Sequence, residues 1–246
     1  MRKAFTVALF TIMALAPTAY ASSFDAATDF SLASNPNGAW SYGYSTTLGG
    51  AFILDTITST TTFGNSNFSS RQGNVVCGFC GPESYPVVFK NTASTTQTAG
   101  TVNLLAGELA LHPASNGEFA IVRFTAPTAG LFTIASTFEG RDVGGPASPT
   151  GTTTDVHVLL NNSPLFDGEV TGFGTTSDQS FSAPLPLPLS AGNTLDFVVG
   201  IGVDGNFFDD ATGLSATIGT VPEPASLLLL GSGVIGLAWW RRRNNA

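Results

Sequence analysis

Residues 117–140 read GEFAIVRFTAPTAGLFTIASTFEG. In Leu131–Glu139, Phe132, Ile134 and Phe138 fall on one side of an extended chain. Thr133, Ala135, Thr137 and Glu139 fall on the other. A period of two places one face of a strand in a core and leaves the other for solvent or a second layer. Pro127-Thr-Ala-Gly130 is a turn that separates this run from the preceding one, Glu118–Thr125. The stretch therefore predicts two strands and a tight connection, and no helix.

The same pattern spreads outward. Val156, Val158 and Leu160 point one way within 155–160. Leu195, Phe197, Val199 and Ile201 line a face opposite Asp196 and Val198. A last strand is expected over 214–218. Weaker runs come earlier, at 30–32, 40–44, 51–55, 87–90 and 108–111. The breaks are Asn161-Asn-Ser-Pro164, Ala191-Gly-Asn193 and the Pro-, Ser-, Gly- and Thr-rich 147–154. Residues 182–190 alternate prolines, which lack the ladder donor, so they exclude a central strand. The Thr-rich 56–62 and 91–101 fit edge strands or loops. No helical pattern occurs between Ser22 and Val221, and many short strands with turn signals read as an all-β sandwich or barrel.

Both ends differ from this body. Arg2 and Lys3, the apolar run Ala4–Leu15 and the small residues Ala19 and Ala21 form a signal-peptide pattern, with cleavage expected after Ala21. Near the other end, residues 225–240 are apolar. At ~1.5 Å per residue they span roughly 24 Å as a helix, a little short of a ~30 Å hydrocarbon core. Trp239 and Trp240 stand where an interfacial belt belongs, and Arg241, Arg242 and Arg243 follow as a cytoplasmic flank. The expected organisation is a signal peptide over 1–21, a sandwich domain over 22–220, and a sorting and membrane segment over 221–246.

Setting the ends aside sharpens the charge. Four Lys and Arg remain between Ser22 and Val221 (Arg71, Lys90, Arg123 and Arg141) against sixteen acids, a body near −12. Phosphate binding needs clustered cations, so nucleic acid is excluded as a partner. The only cysteines, Cys77 and Cys80, bracket two residues in an exported context. No second pair exists to complete a metal site, so a local loop disulfide is expected.

Catalytic signals are sparse. His112 precedes a proline, and His157 alternates with core-facing valines and should point away from the core. No G-x-S-x-G, H-E-x-x-H, phosphate-loop or dinucleotide motif is present. A glycosidase needs two carboxylates ~5–9 Å apart. Glu118, Glu139, Asp155, Glu169 and Asp196 lie on or beside expected strands, but strand-face acids are more simply solvated. Asp204-Gly-Asn-Phe-Phe-Asp-Asp210 gathers Asp204, Asp209 and Asp210 in one glycine-bearing loop, a candidate calcium site by donor type and not by EF-hand spacing. Trp40, Tyr42 and Tyr44 alternate and share one face. Turned outward they form a sugar-stacking platform; turned inward they join the core. Phe207 and Phe208 are a second aromatic pair.

Two resemblances add to this reading. Pro222-Glu223-Pro224, the apolar span and the basic tail from Arg241 resemble the PEP-CTERM sorting signal of Gram-negative bacteria. That resemblance implies processing by an exosortase, a membrane protease-transpeptidase, in bacteria that make exopolysaccharide or biofilm. The order of runs from GEFAIVRFTAPTAGLFTIASTFEG through TDVHVLLNNSPLFDGEV, LPLSAGNTLDFVVGIG and DDATGLSATI resembles galactose-binding-like jelly rolls of the carbohydrate-binding-module type. Such jelly rolls often hold a structural calcium near their terminal strands. The resulting expectation is an exported, non-catalytic, polysaccharide-associated envelope or matrix protein. The alternatives are a self-associating structural surface protein and a polysaccharide hydrolase with a carboxylate pair.

Overall fold

The alternation at 117–140 is realised as two strands that do not pair with each other. A computed structural model, describing residues 21–73, 85–146, 148–222 and 240–243, places β10 (Phe119–Thr125) and β11 (Gly130–Gly140) in different sheets. The Pro127–Gly130 turn carries the chain across the sandwich. A six-stranded sheet has the order β13 (Ser163–Thr171), β12 (Thr153–Leu160), β16 (Thr194–Val199), β10, β2 (Trp40–Ser45), β3 (Ile53–Leu54). A nine-stranded sheet has the order β14 (Gly174–Ser182), β11, β17 (Thr212–Val221), β9 (Leu109–His112), β6 (Val87–Asn91), β5 (Phe68–Gln72), β4 (Ile57–Ser59). In that sheet β1 (Ser23–Asp25) adds to β17 and β15 (Leu187–Leu189) adds to β11. All pairings are antiparallel, and the chain crosses repeatedly between sheets, an all-β sandwich of jelly-roll type.

The core lies where the alternation put it. Phe132, Ile134 and Phe138 face Leu195, Phe197 and Val199, with Val156 and Val158 beside them. Phe124 sits at the centre of an aromatic group, its ring 5.1 Å from Phe24, 5.4 Å from Trp40 and 6.0 Å from Phe132. A fully buried side chain of this size contributes roughly 1.5–3 kcal/mol, whereas an exposed ion pair contributes at most about 1 kcal/mol. The inner layer therefore outweighs any surface pairing.

Part of each outer face is covered by a second layer. A hairpin of β7 (Gln97–Ala99) and β8 (Val102–Leu104) joins a second buried cluster with Phe68, Val87, Phe89 and Ala110. On the other sheet Phe52 and Phe119 cover Ile121, Leu159 and Val198. Asp196 and Val198 are accordingly buried.

Strands β1, β5, β8, β13 and β14 lacked a sequence signal. β13 and β14 lie at the sandwich edge and send only Phe166, Val170 and Phe181 towards the core. β5, FSSRQ, is buried although mostly polar. Residues 30–32 form no strand, and the run expected through Ile201 stops at Val199.

The body is one compact unit, Ser22–Val221. In the terminal unit, Trp240–Arg243 are described as an exposed helical turn. No described helix is long and apolar enough to cross a membrane. The expected span over 225–240 lies, Trp240 apart, outside the described residues. So do Ala19, Cys77, Cys80, Glu223 and Pro224.

Candidate functional site at the acidic end

β17 runs the length of the sandwich, ten residues from Thr212 to Val221, roughly 30 Å at ~3.4 Å per residue. At its Thr212 end the connections 113–118, 141–152 and 200–211 meet, carrying Glu118, Asp142, Asp204, Asp209 and Asp210 against Arg141. A cleft of about 200 Å³ opens there, lined by Phe63, Thr101, Val102, His112, Asp142 and Asp209.

His112 fixes the chemistry of this cleft. A carbonyl only accepts, so Nδ1 carries the proton and donates to Pro113 O at 2.8 Å. Nε2 is then an acceptor. Burial pushes the imidazole pKa down to about 4, so the ring is neutral at pH 7. Phe63 packs 5.7 Å from it. Asp209 Oδ1 accepts from Thr101 Oγ1 at 2.7 Å, and Asp142 Oδ2 accepts from Ala211 N at 2.5 Å. The polar groups lining this space are dominated by acceptors.

The three acids expected to share a calcium ion are divided. Asp209 has a left-handed backbone (φ 62°) and faces the cleft. Asp204 and Asp210 instead meet at Thr153. Its Oγ1 donates to Asp204 Oδ2 at 2.9 Å, and its N donates to Asp210 Oδ1 at 3.0 Å. Gly202 (φ 69°) closes the loop against β12, where an added Cβ would overlap the Thr153 carbonyl. Asp210 Oδ2 is buried with no partner. Burial, with the charges of Asp204 and Asp142 added, raises the Asp210 pKa to about 8. Among the described residues no three His, Cys, Asp or Glu side chains converge as metal ligands. Phe207 and Phe208 stack in the same loop with ring centroids 4.2 Å apart, and Val203 at its tip is 86% exposed.

The aromatic alternation resolves inward. Trp40 and Tyr42 are 0% exposed and Tyr44 9%, so the outward platform does not exist. Strand β2 sits between β10 and β3 with that face towards the opposite sheet. The Tyr42 hydroxyl is buried without a partner, and burial raises its pKa.

Of the five candidate strand carboxylates, Asp155, Asp196 and Glu139 are held by basic side chains. Arg123 donates to both oxygens of Asp196, at 2.6 and 2.7 Å, beneath the Phe52 ring at 4.2 Å. His157 points away from the inner core, as expected, yet is 8% exposed. It bridges Asp155 Oδ2 at 2.8 Å and Asp167 Oδ1 at 2.6 Å. Burial pulls its pKa down, but those hydrogen bonds and charges outweigh it, and the net direction is up. Asp155 shifts down in return. Arg141 lies between Glu108 (2.6 Å) and Glu139 (3.0 Å) in a groove of about 310 Å³ on the outer face of the nine-stranded sheet. Burial raises both glutamates despite the guanidinium. Sequence reading missed Glu108, because only β9–β17–β11 adjacency brings it to Glu139.

Comparison with known proteins agrees on export. Residues 220–243 match the PEP-CTERM protein-sorting motif, which marks the chain as exported and implies an exosortase-type processing system. No curated protein matches the chain. Among solved structures it is similar to a family 51 carbohydrate-binding module from Clostridium perfringens in complex with methyl-galactose. That match has 15% identity, covers 53% of this chain and 86% of that one, and has a TM-score of 0.34. It is also similar to a family 35 carbohydrate-binding module from Clostridium thermocellum (13% identity, 61% and 86% covered, TM-score 0.26). A third likeness is a Stig cyclase, Fisc, from Fischerella sp. TAU (10% identity, 70% and 92% covered, TM-score 0.35). Superpositions at these scores are partial, and neither ligand nor activity is carried from them.

Proposed function

We propose that this chain is an exported, non-catalytic protein that binds polysaccharide outside a Gram-negative cell. An exosortase-type system would sort it into the envelope or the exopolysaccharide matrix. The observation that supports binding is the acidic-end cleft. One wall is the Phe63 ring, and its polar groups include the acceptor nitrogen of His112 and the carboxylate of Asp209. Sugar hydroxyls donate to such acceptors while a pyranose face packs on an aromatic ring. A near −12 body also favours a neutral polymer over an anionic one. The carboxylates speak for a non-catalytic role. Glu139 and Asp196 pair with arginines and Asp155 with His157, so none of these three is placed as a free acid or nucleophile.

The test is retention of the purified chain on exopolysaccharide from its own source, with and without calcium. Retention that falls in Phe63→Ala and Asp209→Asn supports the reading. Folded protein with no retention in either condition sinks it. A second reading, self-association, draws on β14. This nine-residue strand pairs only with β11 among the described strands and bears one charge, Asp178. It is an edge able to add a strand, and it predicts concentration-dependent sedimentation.

A further inference from the structure

We infer that the Val221 end of the body is a lipid-facing foot, which holds the acidic cleft away from the membrane while the chain is anchored. The inference rests on the tail-anchored, exported reading above and adds an orientation to it.

The chain enters and leaves the body at one point. Ser22 N donates to Thr220 Oγ1 at 2.7 Å, and Thr220 N donates to Ser22 O at 2.8 Å. Ser23 lies opposite Gly219, and Leu131 opposite Val221. The central strand β17 is therefore paired up to its last residue. Only Pro222, Glu223 and Pro224 separate it from the apolar run that begins at Ala225. Three residues reach at most roughly 10 Å, comparable with one headgroup layer. So short a tether leaves this end against the lipid surface.

The composition of that end suits such a neighbour. The segments gathered there are 22–23, 36–39, 125–131, 160–164, 183–194 and 221–222, and none contains Asp, Glu, Lys or Arg. Glu223 lies in the tether itself, and Asp29, in the 26–39 connection, accepts from Trp40 Nε1 at 3.1 Å. Leu131 and Leu185 are 46% and 76% exposed. An acidic body is repelled by anionic lipid, and the repulsion is strong only within about a Debye length. Placing these uncharged segments on the membrane side, and the acids of the 141–152 and 200–211 loops roughly 30 Å away at the other end of β17, reduces it. The cleft then opens away from the bilayer, towards extracellular polymer.

The experiment uses the full chain in vesicles of phosphatidylcholine and phosphatidylglycerol carrying headgroup nitroxide. A fluorophore is attached through an encoded alkyne residue at position 128, 185 or 203, leaving Cys77 and Cys80 intact. Quenching at 128 and 185 several-fold above that at 203 is the expected result. In the variant Leu131→Asp/Leu185→Asp, quenching at 128 falls several-fold while the far-ultraviolet spectrum is unchanged. Protein that floats with the vesicles but is quenched equally at all three positions overturns the foot and leaves the anchor standing. So does quenching at 128 that ignores the double substitution. Protein that fails to float overturns the anchor and the foot together.

Discussion

At the Val221 end of the sandwich, strands are joined by loops rich in Pro, Ala, Gly and Leu, with Asp29 of the 26–39 connection their one charge. At the Thr212 end, five acids and one arginine occupy the loops. Beneath the first end lies the Phe24–Phe124–Trp40–Phe132 ring cluster. At the second end, Asp142 and Asp210 are fully buried carboxylates and His112 is a buried imidazole. Apolar packing stabilises at any pH. Buried carboxylates with incomplete hydrogen bonding cost stability once ionised. One end of the fold is thus built for stability, and the other gives some of it up to hold polar groups in place. Of these groups, His112 and Asp142 line the cleft.

Four experiments separate the ends. Phe124→Ala removes the centre of the ring cluster and should cost about 3–5 kcal/mol in urea unfolding, with little dependence on pH. A loss below ~1 kcal/mol would show that the neutral end is loosely packed.

The acidic end should respond to pH instead. Asp210 sits at about 8 in the fold against an ordinary 3.8, so the folded state prefers the protonated form. Stability present at low pH is then lost as pH rises from about 4 to about 8. Asp55, raised by burial to about 8 in spite of Arg71, acts in the same direction. His157, raised above its ordinary 6.5, also loses its contribution as pH rises through its folded value. Asp210→Asn should flatten the profile and gain on the order of 2 kcal/mol near pH 8, less than the full shift because the loop can open to water. A profile left unchanged by this substitution contradicts the buried-acid account.

Smaller effects concern ligand. Phe63→Ala and Asp209→Asn should each weaken saccharide binding by about 1–2 kcal/mol, roughly 5- to 30-fold. Affinity titration reads this while thermal unfolding stays near native. Smallest of all, Leu185→Asp on the neutral end should shift stability by no more than about 0.5 kcal/mol in the lipid-free protein. A larger loss would mean that this leucine is packed and not a contact surface.

The inner layer was legible in sequence because period-two alternation acts locally. Phe132, Ile134 and Phe138 declare themselves within seven residues, and the sandwich follows. The outer layer was not legible, because it depends on which distant segment lies on top. Nothing local tells that Phe52 covers Arg123, that the 97–104 hairpin covers Phe89, or that Asp196 is buried by a bidentate arginine. β13 and β14 escaped notice because edge strands carry few core residues. Of the site, the sequence identified the acidic loop, but it placed Asp204, Asp209 and Asp210 together. A left-handed residue at 209 turns that one carboxylate towards His112, a histidine that the sequence offered only as a strand-end residue. Trp40, Tyr42 and Tyr44 show the converse limit: alternation says that they share a face and leaves open which face it is.

The most direct test of the account is a binding titration of the folded full chain against exopolysaccharide from its own source, read alongside Phe63→Ala and Asp209→Asn. Saturable binding that weakens at least fivefold in both variants, with their folds intact, is the predicted result. Binding of equal strength in all three proteins, or none in the native chain, would contradict a saccharide site at the acidic end.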